Sequence, residues 1–336
     1  MVQKNKLTIL NDVERVLKSS GYAITQLSQG SKACFDIIAK RRDQLIILKI
    51  EPYIDNFSRD FSYELKNIAS FLNASPMIIG ERGRRFSEID DGLVLLRYGI
   101  PVVSTETFTK LIVNGVPPIV YCSKGGYFVQ INRRNLRQAR VEKNLSYSDL
   151  AQIVGESIGT RVSKRTVYEY EHSINPPPKT AMLLEELLEA PIIEGIKVFD
   201  IDIEREERPA YSIENLSSFK EEISAVLSDL GFISQFWTRQ SPFDAFSEQK
   251  NLDIHSGLNV LVCVDESQQK QVLERAAITH DIASIAKRRA IIIVDDDEAE
   301  LSQQVPTFTV DELNQMKKAF DLVKNWVKKY SDLKES

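Results

Sequence analysis

Residues 145–171 read Leu145-Ser146-Tyr147-Ser148-Asp149-Leu150-Ala151-Gln152-Ile153-Val154-Gly155-Glu156-Ser157-Ile158-Gly159-Thr160-Arg161-Val162-Ser163-Lys164-Arg165-Thr166-Val167-Tyr168-Glu169-Tyr170-Glu171. Ser146 is an N-cap, and Asp149 three residues on makes a capping-box pattern. The helix that follows places Leu150, Ala151 and Val154 on one face and is expected to close at Gly155. Ser163 caps a second helix over 164–171, which Asn175-Pro176-Pro177-Pro178 stops. Upstream, Leu136, Ala139 and Arg140 share the face of a helix ending near Asn144. Downstream, 179–189 forms another helix, with Met182, Leu183, Leu187 and Leu188 as its expected core stripe. Residues 133–190 thus read as four helices with no strand.

Charge singles out the same segment. The 336 residues carry 43 Lys+Arg against 48 Asp+Glu, a net charge of −5, which excludes a protein basic over its whole surface. Within 133–165, however, Arg133, Arg134, Arg137, Arg140, Lys143, Arg161, Lys164 and Arg165 face only Glu142, Asp149 and Glu156. The rest of the composition is that of an ordinary globular chain of two or three domains. No apolar run approaches the roughly 18–20 residues of a membrane-spanning helix. Charges interrupt the N-terminal MVQKNKLTILNDVERV, so a secretory signal is not expected. Cys34, Cys122 and Cys263 are dispersed, as are His172, His255 and His280, so neither a disulfide framework nor a zinc site is expected. The expectation is a cytoplasmic protein with no membrane contact, no metal and no cofactor.

The flanks follow α/β grammar. Helix 5–20 is followed by strands at 35–39 and 45–50, helix 59–72, strands at 77–80 and 102–103, and helix 105–113. The pattern resumes with helix 213–230, strand 258–264, helix 268–286, strand 290–294 and one final helix over 310–330. The two stretches match in order. Gly21-Tyr22 corresponds to Gly231-Phe232, Phe35-Asp36 to Phe243-Asp244, and Leu45–Pro52 to Leu258–Asp265. Ile100-Pro101 corresponds to Val305-Pro306, each leading into a last helix. The expected fold is therefore multidomain α/β plus all-α: a duplicated α/β domain at 1–121 and 192–336 flanking a helical domain at 122–191.

Residues 133–190 resemble the phage-repressor/Cro type of helix-turn-helix domain. The resemblance rests on Leu136 and Arg140, on Leu145-Ser146 with Leu150-Ala151 and Val154-Gly155, and on Val162-Ser163 with Thr166-Val167 and Tyr170-Glu171. It implies double-stranded DNA as partner, with the third helix in the major groove. Lys164 and Arg165 would then donate to guanine O6 and N7, and Glu169 would accept from cytosine N4. Tyr147, Arg161, Ser163 and Thr166 would meet phosphates. Arg140 and Glu171 occupy positions that pair to orient the helices. The chain departs from the pattern at 156–161, which lengthens the turn after the family's glycine.

Residues 8–52 resemble archaeal Holliday-junction-resolvase nucleases of the PD-(D/E)xK type through Glu14, Asp36-Ile37-Ile38-Ala39 and Lys49. That chemistry needs a second carboxylate two residues before the lysine, and this sequence has Ile47 there. Glu51 is the only nearby substitute on the strand. The second copy keeps Asp244 but has Leu261, Val262 and Cys263 in that region. Both flanks thus read as restriction-endonuclease-like domains without catalysis, and the chain as no enzyme. The alternative is a metal-dependent structure-specific nuclease using Asp36, Lys49 and Glu51, or an architectural DNA-binding protein. As a whole, the chain resembles an archaeal family of transcriptional regulators with a central helix-turn-helix. A single such unit per chain implies a homodimer, and the α/β domains are left to dimerise, sense an effector or touch DNA. His255, His280, the acidic run 295–298 and the lysines of the last helix read as solvated surface.

Overall fold

The computed structural model describes residues 5–27, 33–83, 87–201, 203, 216–236, 241–249, 259–265, 269–295 and 304–335. They divide into two compact units. One comprises Met1–Val16, Ile50–Phe57 and Met77–Asp202; the other comprises Leu17–Lys49, Ser58–Pro76 and Ile203–Ser336.

The elements run α1 (Lys6–Ser19), β1 (Ala23–Gln26), β2 (Ile37–Arg41), β3 (Gln44–Ile50), α2 (Arg59–Leu72), β4 (Ser75–Ile79), β5 (Leu93–Arg97), β6 (Ile100–Val103) and α3 (Thr105–Asn114). Then come β7 (Val120–Ser123), β8 (Gly126–Val129), α4 (Arg133–Glu142), α5 (Tyr147–Ile158), α6 (Lys164–His172) and α7 (Pro178–Leu188). The chain closes with α8 (Ser218–Asp229), β9 (Phe232–Phe236), β10 (Ala245–Gln249), β11 (Asn259–Asp265), α9 (Gln269–Ala286), β12 (Arg289–Val294), β13 (Thr307–Thr309), α10 (Val310–Asn314) and α11 (Ala319–Glu335).

In the second unit β1, β2 and β3 form an antiparallel run. β9, β10 and β11 repeat that pattern, and β12 and β13 continue parallel to β11. Continuous apolar residues bury β3 and β12 on both faces, as covered strands require. Two hydrogen bonds fix the correspondence between the two hairpins. The Asp36 amide donates to the Leu48 carbonyl and the Asp244 amide to the Val262 carbonyl, each at 2.8 Å. Leu48 is thus matched by Val262 and Lys49 by Cys263, one position along from the match read in the sequence.

The first unit holds β6 between β4, its parallel neighbour, and β5, its antiparallel one; β7 runs parallel to β5 and antiparallel to β8. Residues 133–188 form the expected four helices around a core of Leu136, Leu150, Val154, Val167 and Leu184.

Three local expectations are corrected. Helix α5 runs past Gly155 and closes at Gly159, whose φ of +72° suits a residue without a side chain. Of the expected α7 stripe, Leu188 is buried and Leu183 and Leu187 pack partly buried against the core, but Met182 is 65% exposed, and Ala181 and Leu184 face the core instead. The single last helix is broken into α10 and α11, because the Asp321 carboxylate accepts the Lys317 and Lys318 amides and restarts the helix. Residues 213–215, Leu258, His255 and 296–298 lie outside the described residues.

Candidate nucleic-acid interface

Helix α6 is positioned from three sides. At its start the Ser163 Oγ accepts the Thr166 amide at 3.0 Å, and the Thr166 hydroxyl lies 2.9 Å from the same oxygen. On its inner face Val167 and Tyr170 are buried in the helical core. At its end Glu171, fully enclosed, accepts from Arg140 Nε at 2.5 Å and Nη2 at 3.2 Å. Arg140 also donates to the Leu145 carbonyl and stacks 4.1 Å over the Tyr147 ring. The Glu171 hydrogen bonds hold the Arg140 guanidinium above its ordinary pKa. Such a bidentate pair fixes the angle between α4 and α6.

Against that frame the predicted residues fall into two groups. Lys164 and Arg165 occupy the first turn of α6 and are exposed; Arg161 is exposed in the loop just before it. Ser163 and Thr166 sit at the same end, where the helix dipole favours anions. Glu169 is directed at a neighbour: its Oε1 accepts from Arg165 Nε at 2.8 Å. Tyr147 is turned inward, its hydroxyl donating to Glu171 Oε2 at 3.0 Å, so its one phenolic proton is engaged inside the domain. Burial first, then Glu171, raises the pKa of that phenol.

Sequence reasoning left out Tyr168 and His172. They lie four and eight residues after Lys164, on the same outward face of α6. Tyr168 is 47% exposed, stacks on His172 at 4.0 Å and meets Tyr147 edge-on. The i, i+4, i+8 spacing from Lys164 was the available signal.

The nuclease-like positions form a different kind of site. Asp36 is buried, and Lys49 Nζ lies 3.5 Å from its Oδ2 while donating to the Ala33 carbonyl at 2.6 Å. Ile47 is completely buried opposite Ile38, so no oxygen ligand enters from that position. Glu51 lies one residue past the end of β3. Burial, then the Glu64 charge, pushes the adjacent Cys34 thiol well up, which makes it a poor ligand. Among the described residues no three His, Cys, Asp or Glu side chains gather as a metal site would require. The residues present do not fit a divalent cation.

In the second hairpin Asp244 is neutralised. Its Oδ2 accepts from Arg275 at 2.5 Å and from the Val264 amide at 2.8 Å, and its Oδ1 lies 3.0 Å from Lys220 Nζ. Cys263, at the register position that Lys49 holds in the first hairpin, has its thiol pushed up to about 12 by burial and lies 3.2 Å from the Thr279 hydroxyl.

Comparison with known proteins finds the same two domain types. Residues 6–118 match the PD-(D/E)XK superfamily domain and residues 136–194 match a helix-turn-helix domain. A protein of Methanocaldococcus jannaschii named "Putative HTH-type transcriptional regulatory protein" is 34% identical over 88% of this chain and 88% of its own. Proteins of the same name from Methanococcus vannielii and Archaeoglobus fulgidus are 32% and 29% identical. They cover 94% of this chain, and 95% and 96% of their own. No solved structure matches. The chain belongs to this archaeal family of "Putative HTH-type transcriptional regulatory" proteins.

Proposed function

We propose that the protein is a sequence-specific, DNA-binding transcriptional regulator that places α6 in the major groove. One observation carries the reading: α6 is capped, locked by a buried ion pair, and turns Lys164 and Arg165 outward at its N-terminal end. These are the requirements of a recognition helix, whose first residues meet base edges. Arg161, Ser163 and Thr166 flank it as phosphate contacts, and Tyr147 buttresses it. The protein works in the cytoplasm, as a homodimer, on double-stranded DNA.

The two α/β segments are read as copies of one unit that no longer cleaves. Their shared antiparallel hairpin and their equivalent buried aspartates support common descent. The buried Ile47 and the ion-paired Asp244 argue against metal-dependent hydrolysis. Selection of bound sequences from genomic DNA tests the main reading. Arg165→Ala should cost about 1–3 kcal/mol at the preferred site and relax preference at one base pair. Arg161→Ala should weaken all sequences alike and reduce the salt dependence. Equal, sequence-blind losses for both variants would remove α6 from the major groove. Incubation with Mg²⁺ or Mn²⁺ and branched or linear DNA should leave the DNA intact; nicking abolished by Asp36→Ala would restore the nuclease.

A further inference from the structure

On the outer face of α6, Arg165 is 85% exposed at its side chain yet held by a single bond, from its Nε to Glu169 Oε1 at 2.8 Å. Its terminal Nη1 and Nη2 bond nothing among the described residues. Those two nitrogens form the end-on fork that matches guanine O6 and N7. The side chain is therefore clamped at the one nitrogen that base reading does not need.

Helix stability favours the pair only weakly. A helix dipole favours an acid near the N-terminus and a base near the C-terminus. Here the order is reversed: Arg165 sits in the first turn, which holds no acidic residue, and Glu169 one turn later. We infer that Glu169 is a positioning residue for Arg165, presetting its guanidinium to read guanine, and not a reader of cytosine itself. The inference rests on the recognition-helix reading above and names the base it selects.

Immobilising a free arginine on binding costs about two- to tenfold in affinity. A neighbour that fixes the rotamer beforehand removes most of that loss. It also places a negative charge near the phosphates, which disfavours DNA that offers Arg165 no guanine in return. Glu169 thus trades general affinity for selectivity.

The test uses the full chain in sequence selection and binding titrations, with Arg165→Ala, Glu169→Ala, Glu169→Gln and Lys164→Ala. Arg165→Ala and Glu169→Ala should relax preference at the same base pair, a guanine, and Lys164→Ala at a different one. Glu169→Ala should bind the preferred site about five- to tenfold more weakly while binding unrelated duplex no worse, or better. Glu169→Gln, whose Oε1 still accepts from Nε, should recover the guanine preference. A double variant carrying Arg165→Ala and Glu169→Ala should lose no more selectivity than Arg165→Ala alone. If Glu169→Ala relaxes a different base pair from Arg165→Ala, Glu169 reads that base directly and the inference is overturned. Unchanged selectivity in Glu169→Ala overturns it as well. If Arg165→Ala itself leaves all preference intact, the recognition-helix reading falls and takes the inference with it.

Discussion

An added Cβ at Gly155 would stand 3.1 Å from the Thr160 carbonyl oxygen and 3.3 Å from the Val162 amide nitrogen. Both are backbone atoms of the loop that returns the chain into α6, so relief requires moving that loop. Two effects compete in Gly155→Ala. Alanine in a helix interior gains about 1 kcal/mol over glycine, whereas overpacking against unyielding atoms costs about 1–3 kcal/mol. The clash wins, because neither neighbour is the free end of a side chain. The variant should be slightly destabilised and should bind DNA more weakly than its thermal stability accounts for, since the displaced loop carries Arg161 and sets the start of α6. Binding titrations beside thermal melts check this, and wild-type affinity would mean that the loop yields freely. The glycine was legible in the sequence but its task was not. It reads there as a helix end; in the fold it lies inside α5, and Gly159 does the closing.

Helix boundaries were most legible where polar caps mark them. Ser146 and Asp149 hold the start of α5 by exchanging bonds: the Ser146 Oγ accepts the Asp149 amide at 3.1 Å, and Asp149 Oδ2 accepts the Ser146 amide at 2.9 Å. Those bonds hold the Asp149 carboxyl below its ordinary pKa. A depressed carboxyl pKa contributes stability that is complete above the unfolded value and lost as pH falls through the folded one. Amide exchange at the N-terminus of α5 should therefore stay protected at neutral pH and quicken in acid below the usual aspartate range. In Asp149→Asn that acid-dependent step should disappear; an unchanged profile would assign it to another group. Where the sequence offers no such marks, physical reasons explain the misreadings. Helix α7 has leucines on several sides, so periodicity alone does not choose its face, and the small Ala181 lets that side approach the core. The short strands β1, β5, β7 and β8 lack sustained alternation, although Gly125-Gly126, both at positive φ, marks the β7–β8 hairpin. The absent second carboxylate at Ile47 was plain from sequence, whereas the Arg275 and Lys220 bonds that neutralise Asp244 depend on packing.

At the scale of the whole chain, the question is what the two α/β segments do for a single helix-turn-helix. Within the second unit they already hold one another. Phe71 of α2 stacks on Phe246 of β10 with ring centroids 4.2 Å apart, Arg288 reaches the Phe71 carbonyl, and Gln235 donates to the Tyr63 hydroxyl. Both rings are essentially inaccessible to water. That face is therefore used inside the chain and is not available for pairing two copies. One recognition helix covers only a half-site, and this class of domain gains affinity by matching two-fold protein symmetry to an inverted repeat. The proposed dimer would then use other surface, and the two interfaces should respond separately. Phe246→Ala should cost about 3–5 kcal/mol of packing, seen as an earlier thermal transition. Its mass by light scattering should remain that of two 38.2 kDa chains. Footprinting on a selected site should show two protected half-sites one helical turn apart, or a multiple of it, in both proteins. A wild-type protein of single-chain mass protecting one non-palindromic half-site would defeat the dimer. It would leave the two α/β segments acting as an internal substitute for the second subunit.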